Sequence, residues 1–180
     1  IVKAIDDAVK QLVKHTILIT AGPTFEDIDP VRFIGNRSSG KMGFALAEEA
    51  ATQGAKVLLV SGPVSLPTPL GVQRIDVRSA RQMHEAVMAL VPSCTIFIAA
   101  AAVADYRPVQ VCPQKIKKSQ STITLELERT ADILADVAAR PDRPECVVGF
   151  AAETERVEEY AQAKFNKKNL DLIAANDVSN

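Results

Sequence analysis

The 180 residues, 47% of them apolar, suffice for one sizeable core and exclude a disordered chain on composition. With 21 Lys and Arg against 22 Asp and Glu the net charge is −1, which excludes a nucleic-acid binder held by a global positive field. Three scattered cysteines without a Cys-x-x-Cys pair, two histidines and no apolar run of membrane-spanning length exclude a zinc site, a disulfide framework, a His-rich metal centre and a membrane span, and point to a reducing, cytoplasmic setting.

Residues 1–14 read as a linker ahead of a domain over 15–180, with helical spacing over 3–14 that puts Ile5, Val9, Leu12 and Val13 on one side. The chain opens on Ile1 and stops at Asn180 soon after an apolar run, so it reads as a fragment of something longer. Residues 16–20 form a short apolar run of the kind a buried parallel strand shows. A long polar loop is expected over 21–37, after which Ser38 and Ser39 open a helix that Gly54 stops. Strands are predicted over 56–60 and 72–77, a helix over 80–91, and a strand over 94–99 that runs out into small residues up to Asp105. Residues 107–121 lack a period and read as a loop or lid carrying Lys115, Lys117 and Lys118. The alternation over 122–128 predicts a half-exposed strand. A helix over 130–139 with Thr130 at its N-cap, a strand over 146–151, a charged helix over 153–167 and a strand over 170–174 complete the chain. Apolar strands alternating with helices imply a doubly wound, mainly parallel α/β sheet.

Ligands of such sheets bind beyond the carboxyl ends of the strands. Gly35-x4-Gly40-Lys41 imitates a phosphate-binding loop, but Met42 stands where Mg²⁺ needs a hydroxyl, and the loop is too long after its strand. Ser38, Ser39 and Gly40 nevertheless offer small side chains and backbone N–H groups to a phosphate at a helix N-terminus; the plainer reading is a serine cap and a packing glycine. The run from Ala99 through Ala100, Ala101 and Ala102 lets a flat ligand approach the backbone, and Asp105 offers a carboxylate to a ribose, a base or a metal. Small residues under a crossing helix are the bland alternative. Phe150 ends the third such strand and either stacks on a base or belongs to the core. Lys164 and Lys168, four apart, share one helix face. Lys117, Lys118 and Lys167 read as solvated, and the three cysteines as structural.

Two enzyme classes fit these features. One is a nucleotide-dependent group-transfer enzyme acting on anionic substrates. The other is an NAD(P)-dependent oxidoreductase of the short-chain dehydrogenase kind, prompted by Tyr160-x3-Lys164, although no Gly-x-Gly-x-x-Gly follows the first strand. A non-enzymatic binding module leaves the polar stretch over 22–40 unexplained.

Several motifs occur in order: Ile19-Thr-Ala-Gly-Pro-Thr24, Ile28-Asp-Pro-Val-Arg32, Asn36-Arg-Ser-Ser-Gly-Lys-Met-Gly43, Val60-Ser-Gly-Pro63, Ala100-Ala-Ala-Val-Ala-Asp105-Tyr106, Lys115-Ile-Lys-Lys118, Gly149-Phe-Ala-Ala-Glu-Thr154 and Asn169-Leu-Asp-Leu-Ile173 with Asn176-Asp177 after it. Together they resemble the phosphopantothenate–cysteine ligases of the bacterial, CTP-using type, over about residues 15–180. The resemblance implies a Rossmann-like fold with helices on both faces, and coenzyme A biosynthesis: CTP activates 4′-phosphopantothenate as an acyl-cytidylate, and L-cysteine then displaces CMP. It implies Mg²⁺ held mainly through the CTP phosphates with Asp105 near it, a homodimer to which 122–128 contributes, and an N-terminal decarboxylase domain that alone carries FMN. It assigns catalysis to Lys115, Asn36 and Arg32. It gives nucleotide binding to Ser38, Ser39, Gly40, Ala99, Ala100, Ala101, Asp105, Lys115, Phe150, Lys164 and Lys168, and substrate binding to Arg32, Asn36 and Ala102. Phe25 stands where the resemblance leads one to expect a basic residue, and Ala131 where it leads one to expect a proline.

Overall fold

The computed structural model describes residues 12–117 and 121–177. Residues 1–11 of the expected linker helix and Lys118 lie outside them; residues 12–14 form a turn.

Six strands make one parallel sheet: β1 (Thr16–Ala21), β4 (Lys56–Ser61), β5 (Val72–Asp76), β6 (Ile96–Ala99), β9 (Cys146–Glu153) and β10 (Leu172–Asp177). Their order is β10-β9-β6-β1-β4-β5. The chain therefore winds outward from β1 to one edge, returns to place β6 beside β1, and winds outward to the other edge. That is the expected Rossmann-like arrangement, and its switch point lies between β1 and β6.

Helix α1 (Lys41–Thr52) covers one face, where Phe44, Ala47 and Ala50 pack on Ile17, Ile19, Val57 and Leu59. Helices α2 (Ala80–Leu90) and α3 (Ile133–Ala138) cover the other, where Met83, Val87, Leu134 and Val137 meet Leu18, Leu58, Phe97 and Val147. Phe165 of α4 (Val157–Lys168) joins the same cluster. Strand residues alternate between the two clusters because successive side chains point to opposite faces. Helix α2 gives way to a short 3₁₀ turn, Val91–Ser93, which begins at the last residue expected to be helical.

Some expectations fail. The loop predicted over 21–37 contains an antiparallel hairpin of β2 (Phe25–Asp27) and β3 (Phe33–Gly35). Three-residue strands carry no readable period; the stacked rings of Phe25 and Phe33, 3.9 Å between centroids, hold the pair together. The strand predicted over 122–128 shrinks to β8 (Leu127–Arg129), paired with β7 (Tyr106–Pro108), because only that end meets a partner. Ser38 and Ser39 do not open α1. Gly40 is its N-cap with φ 76°, and no side chain caps the helix. That left-handed turn, packed on Gly22 and Val64, lets the helix begin only at Lys41.

Candidate functional site

A cleft of about 860 Å³ opens at the carboxyl ends of β1, β6, β9 and β10, at the switch point. Its floor is the chain leaving β6, from Ala99 to Val103. Side chains from β1 and the turn after it fix this floor: the Thr20 hydroxyl accepts from the Ala101 N–H at 3.3 Å and the Thr24 hydroxyl from the Ala104 N–H at 2.9 Å. Backbone bonds add to them, from Ala102 N–H to Gly22 C=O at 2.9 Å and from Thr24 N–H to Ala102 C=O at 3.3 Å. The Thr130 hydroxyl and N–H donate to the Ala104 and Asp105 carbonyls at 2.6 and 3.0 Å. So the N–H groups of Ala101 and Ala102 already have partners within the chain. What the floor offers a flat ligand is methyl surface and a fixed backbone.

One wall is basic. Lys164 Nζ donates to the Phe150 carbonyl at 2.6 Å, which draws the last turns of α4 over the end of β9. Lys168 Nζ lies 2.7 Å from Asp132 Oδ2, and Asp132 is also the N-cap of α3, accepting from the Ala135 N–H at 3.1 Å. Burial pushes the Asp132 carboxyl up, but Lys168 and the Ala135 N–H outweigh it and hold the group below its ordinary value. The expected cap, Thr130, is instead spent on the floor, because its hydroxyl reaches Ala104. Asp105, exposed, stands on the same cleft. Among the described residues no cluster of His, Cys, Asp or Glu could hold a metal ion by itself.

The opposite lip comes from the hairpin and the start of α1. Asn36 Nδ2 donates to the Val103 carbonyl at 2.9 Å, and Met42, in the first turn of α1, also lines the cleft. Arg32 points elsewhere: it pairs with the buried Asp29 and donates to the Ile116 carbonyl at 2.9 Å. Residues 111–117, here called the strap, lie along this side, and Lys115 on it is exposed.

The structure thus brings Asn36, Ala99, Ala100, Ala101, Ala102, Asp105, Phe150, Lys164 and Lys168 onto one cleft. Arg32, Ser38, Ser39, Gly40 and Lys115 are not among the residues lining it. Ser38 Oγ accepts from the Gly40 N–H at 3.3 Å, so that N–H, one of several that a helix N-terminus offers a phosphate, already has a partner. Thr20, Arg129, Thr130, Asp132 and Asn176 also line the cleft, and sequence reasoning missed them as site residues. Thr20 and Asn176 lie within motifs that carry the resemblance, and Asp132 stands just before a helical run; Arg129 and Thr130 carried no signal of a site. Tyr160, the tyrosine of the dehydrogenase-like pair, is absent from the lining and stacks with the Arg156 guanidinium 5.5 Å from its ring centre. No helix among the described residues is long and apolar enough to cross a membrane.

Residues 12–180 match the family described as DNA/pantothenate metabolism flavoprotein C-terminal domain. The coenzyme A biosynthesis bifunctional protein CoaBC of Vibrio cholerae is 61% identical over 174 residues, which is 96% of this chain and 44% of that one. The protein of the same name from Escherichia coli is 59% identical over 170 residues, 92% of this chain and 42% of that one. The chain therefore spans less than half the length of these curated relatives. A crystal structure of the C-terminal domain of a CoaBC superimposes with a TM-score of 0.83 at 49% identity, covering 93% of this chain and 80% of that one.

Proposed function

Because this chain belongs to the DNA/pantothenate metabolism flavoprotein C-terminal domain family, we propose that it is the CTP-dependent ligase part of a coenzyme A biosynthesis enzyme, joining 4′-phosphopantothenate to L-cysteine. The observation that carries the reading is the cleft itself. A rigid alanine floor, a lysine wall and the Asn36 amide converge at the switch point of a parallel sheet, where a nucleotide binds. The oxidoreductase alternative has no such support, since Tyr160 lies off the cleft.

In the proposed reaction a carboxylate oxygen of phosphopantothenate attacks the α-phosphorus of CTP and expels pyrophosphate. The amine of cysteine then attacks the acyl carbon of the acyl-cytidylate and expels CMP. A bare carboxylate has no leaving group at its carbon, and cytidylation supplies one. Ala99, Ala100 and Ala101 lie under the nucleotide, Phe150 borders its base, and the ammonium groups of Lys164 and Lys168 serve its polar edges. Ser38, Ser39 and Gly40 meet the phosphates from the segment just ahead of α1. Lys115 moves in with the strap to meet charge that grows on the α-phosphate only as attack proceeds. Asn36 and Ala102 hold the acyl end, and Arg32 takes an anionic oxygen pair of phosphopantothenate.

Mg²⁺ fits this site as an ion brought by the nucleotide. Asp105 would supply one hard oxygen ligand, with phosphates and water supplying the rest. The chemistry it would supply there is neutralisation of phosphate charge. FMN has its place in the decarboxylase half of such bifunctional enzymes. The partner proposed for this domain is a second copy, in the cytoplasm. Tyr106, Ile123, Leu125 and Leu127, all exposed along the β7–β8 arm, supply the apolar surface for that contact.

A nucleotide panel tests the assignment. CTP with Mg²⁺ is expected to raise the thermal midpoint of the natural full-length protein, and ATP and NADPH are not. A rise with ATP or NADPH and none with CTP overturns it.

A further inference from the structure

One buried carboxylate joins the hairpin to the strap. Asp29 is 1% exposed. Its Oδ1 accepts from the N–H groups of Val31 and Arg32 at 2.8 and 2.9 Å, closing the turn between β2 and β3. Its Oδ2 accepts from Arg32 Nε at 3.0 Å, from Arg32 Nη2, and from the Ile116 N–H at 3.1 Å. The guanidinium in turn donates to the Ile116 carbonyl at 2.9 Å. Both polar backbone atoms of Ile116 are therefore held by the Asp29–Arg32 pair, and the Cys112 N–H adds a bond to the Ile28 carbonyl at 2.9 Å.

The turn needs only Oδ1. The second oxygen is directed wholly at Arg32 and at the strap. We propose that Asp29 is a positioning residue for Lys115, fixing the backbone of the next residue and so the place from which the ammonium travels to the cleft. This rests on the role given to Lys115 above. The two halves of the clasp differ in freedom: the Asp29 side chain is fully buried, whereas that of Arg32 is 42% exposed. An anionic substrate that engages Arg32 takes its guanidinium from the Ile116 carbonyl. The strap then hangs from the Ile116 N–H and the Asp29 carboxylate, a hinge about which Lys115 swings inward. Arrival of the substrate to be activated releases the residue that activates it.

The test uses single-turnover formation of acyl-cytidylate from CTP and 4′-phosphopantothenate in the natural full-length protein. D29N keeps the side-chain shape and one acceptor, and I116P deletes the strap's donor without touching the hairpin. Each is expected to slow acyl-cytidylate formation about 10²-fold, with CTP affinity and the reaction of preformed acyl-cytidylate with cysteine both kept within about twofold. In a K115Q background neither change is expected to cost anything further. Additive slowing in that background, or equal losses in CTP affinity and the cysteine step, overturns the proposal. If K115Q alone forms acyl-cytidylate at the normal rate, the reading of Lys115 falls and this proposal with it. If D29N fails to fold, I116P decides the matter on the same readouts.

Discussion

Lys168 and Asp132, 36 residues apart in sequence, meet with Nζ 2.7 Å from Oδ2, and the same carboxylate caps α3. One carboxylate therefore has two duties. Asp132 starts the helix that closes the far side of the cleft and steadies the ammonium that faces into it.

This relationship separates two kinds of loss. D132A removes the cap and is expected to cost about 1 kcal/mol of stability. D132N keeps an acceptor at the cap and removes only the charge, and the half-exposed pair is worth less than about 1 kcal/mol. K168M leaves the cap intact and is expected to weaken CTP binding about tenfold, the scale of one lost charge-assisted hydrogen bond. Denaturant melts and calorimetric titration with CTP check the set. An unchanged CTP affinity in K168M would remove that lysine from the nucleotide site.

Asn36 gives a sharper kinetic outcome. Its amide donates to the Val103 carbonyl and stands on the cleft without adding charge. N36D removes the donor and adds a negative charge near the acyl end. Activation by CTP is expected to continue while amide formation stalls, so that acyl-cytidylate accumulates in a quench assay with cysteine present. Normal turnover by this variant would return Asn36 to a structural role.

Gly43 tests packing against propensity. It lies in α1, where alanine is intrinsically preferred by about 1 kcal/mol. A Cβ at this position would stand 2.5 Å from the Ala21 Cβ and 3.2 Å from the Thr20 carbonyl oxygen. G43A is therefore expected to destabilise the fold by about 1–3 kcal/mol, as overpacking does. A higher midpoint in urea would show that α1 can retreat from β1 at little cost.

The clasp also predicts a dependence on acid. The Arg32 guanidinium holds the Asp29 carboxyl far below the usual carboxylate range, against the upward push of burial and with help from the N–H groups of Val31, Ile116 and Arg32. A carboxylate depressed on folding contributes stability that is present above its unfolded value of about 3.9 and is lost as pH falls below it. The stability difference between the wild type and D29N is expected to be constant from pH 7 to about pH 5 and to shrink below about pH 4. Denaturation series at fixed pH values check this. A difference that persists unchanged at low pH would mean that the charge contributes nothing.

The apolar runs that became β1, β4, β6 and β9 were legible because a strand buried on both faces writes itself as an uninterrupted run. The parallel winding followed from their alternation with helices, and the alanines at the end of β6 were readable as a floor. What holds that floor was not. Thr20 and Thr24 act on residues about 80 positions away, and nothing in their local sequence shows it. The hairpin was hidden for a related reason: Glu26 and Asp27 look like loop residues, yet Glu26 is buried with its carboxylate accepting from the Ala80 N–H at the start of α2. Ser38 and Ser39 carried a true local preference for starting a helix. Packing of Gly40 on Gly22 and Val64 overrode it.

The strand order also sets a timetable during synthesis. β1 occupies the middle of the sheet, and one of its neighbours, β4, comes within a few tens of residues. Its other neighbour, β6, ends about 78 residues after β1 does, at Ala99 against Ala21. At roughly 5–20 residues per second, the ribosome leaves that flank of β1 uncovered for about 4–16 s after the strand is made. During this interval the half-built domain presents Ile17, Leu18 and Ile19 along an open edge, a template for pairing with another nascent chain. Chaperone engagement is expected to fall in that window and to end when β6 docks. The cleft, whose floor is the chain beyond β6 and whose wall is α4, is completed only when the last strands arrive.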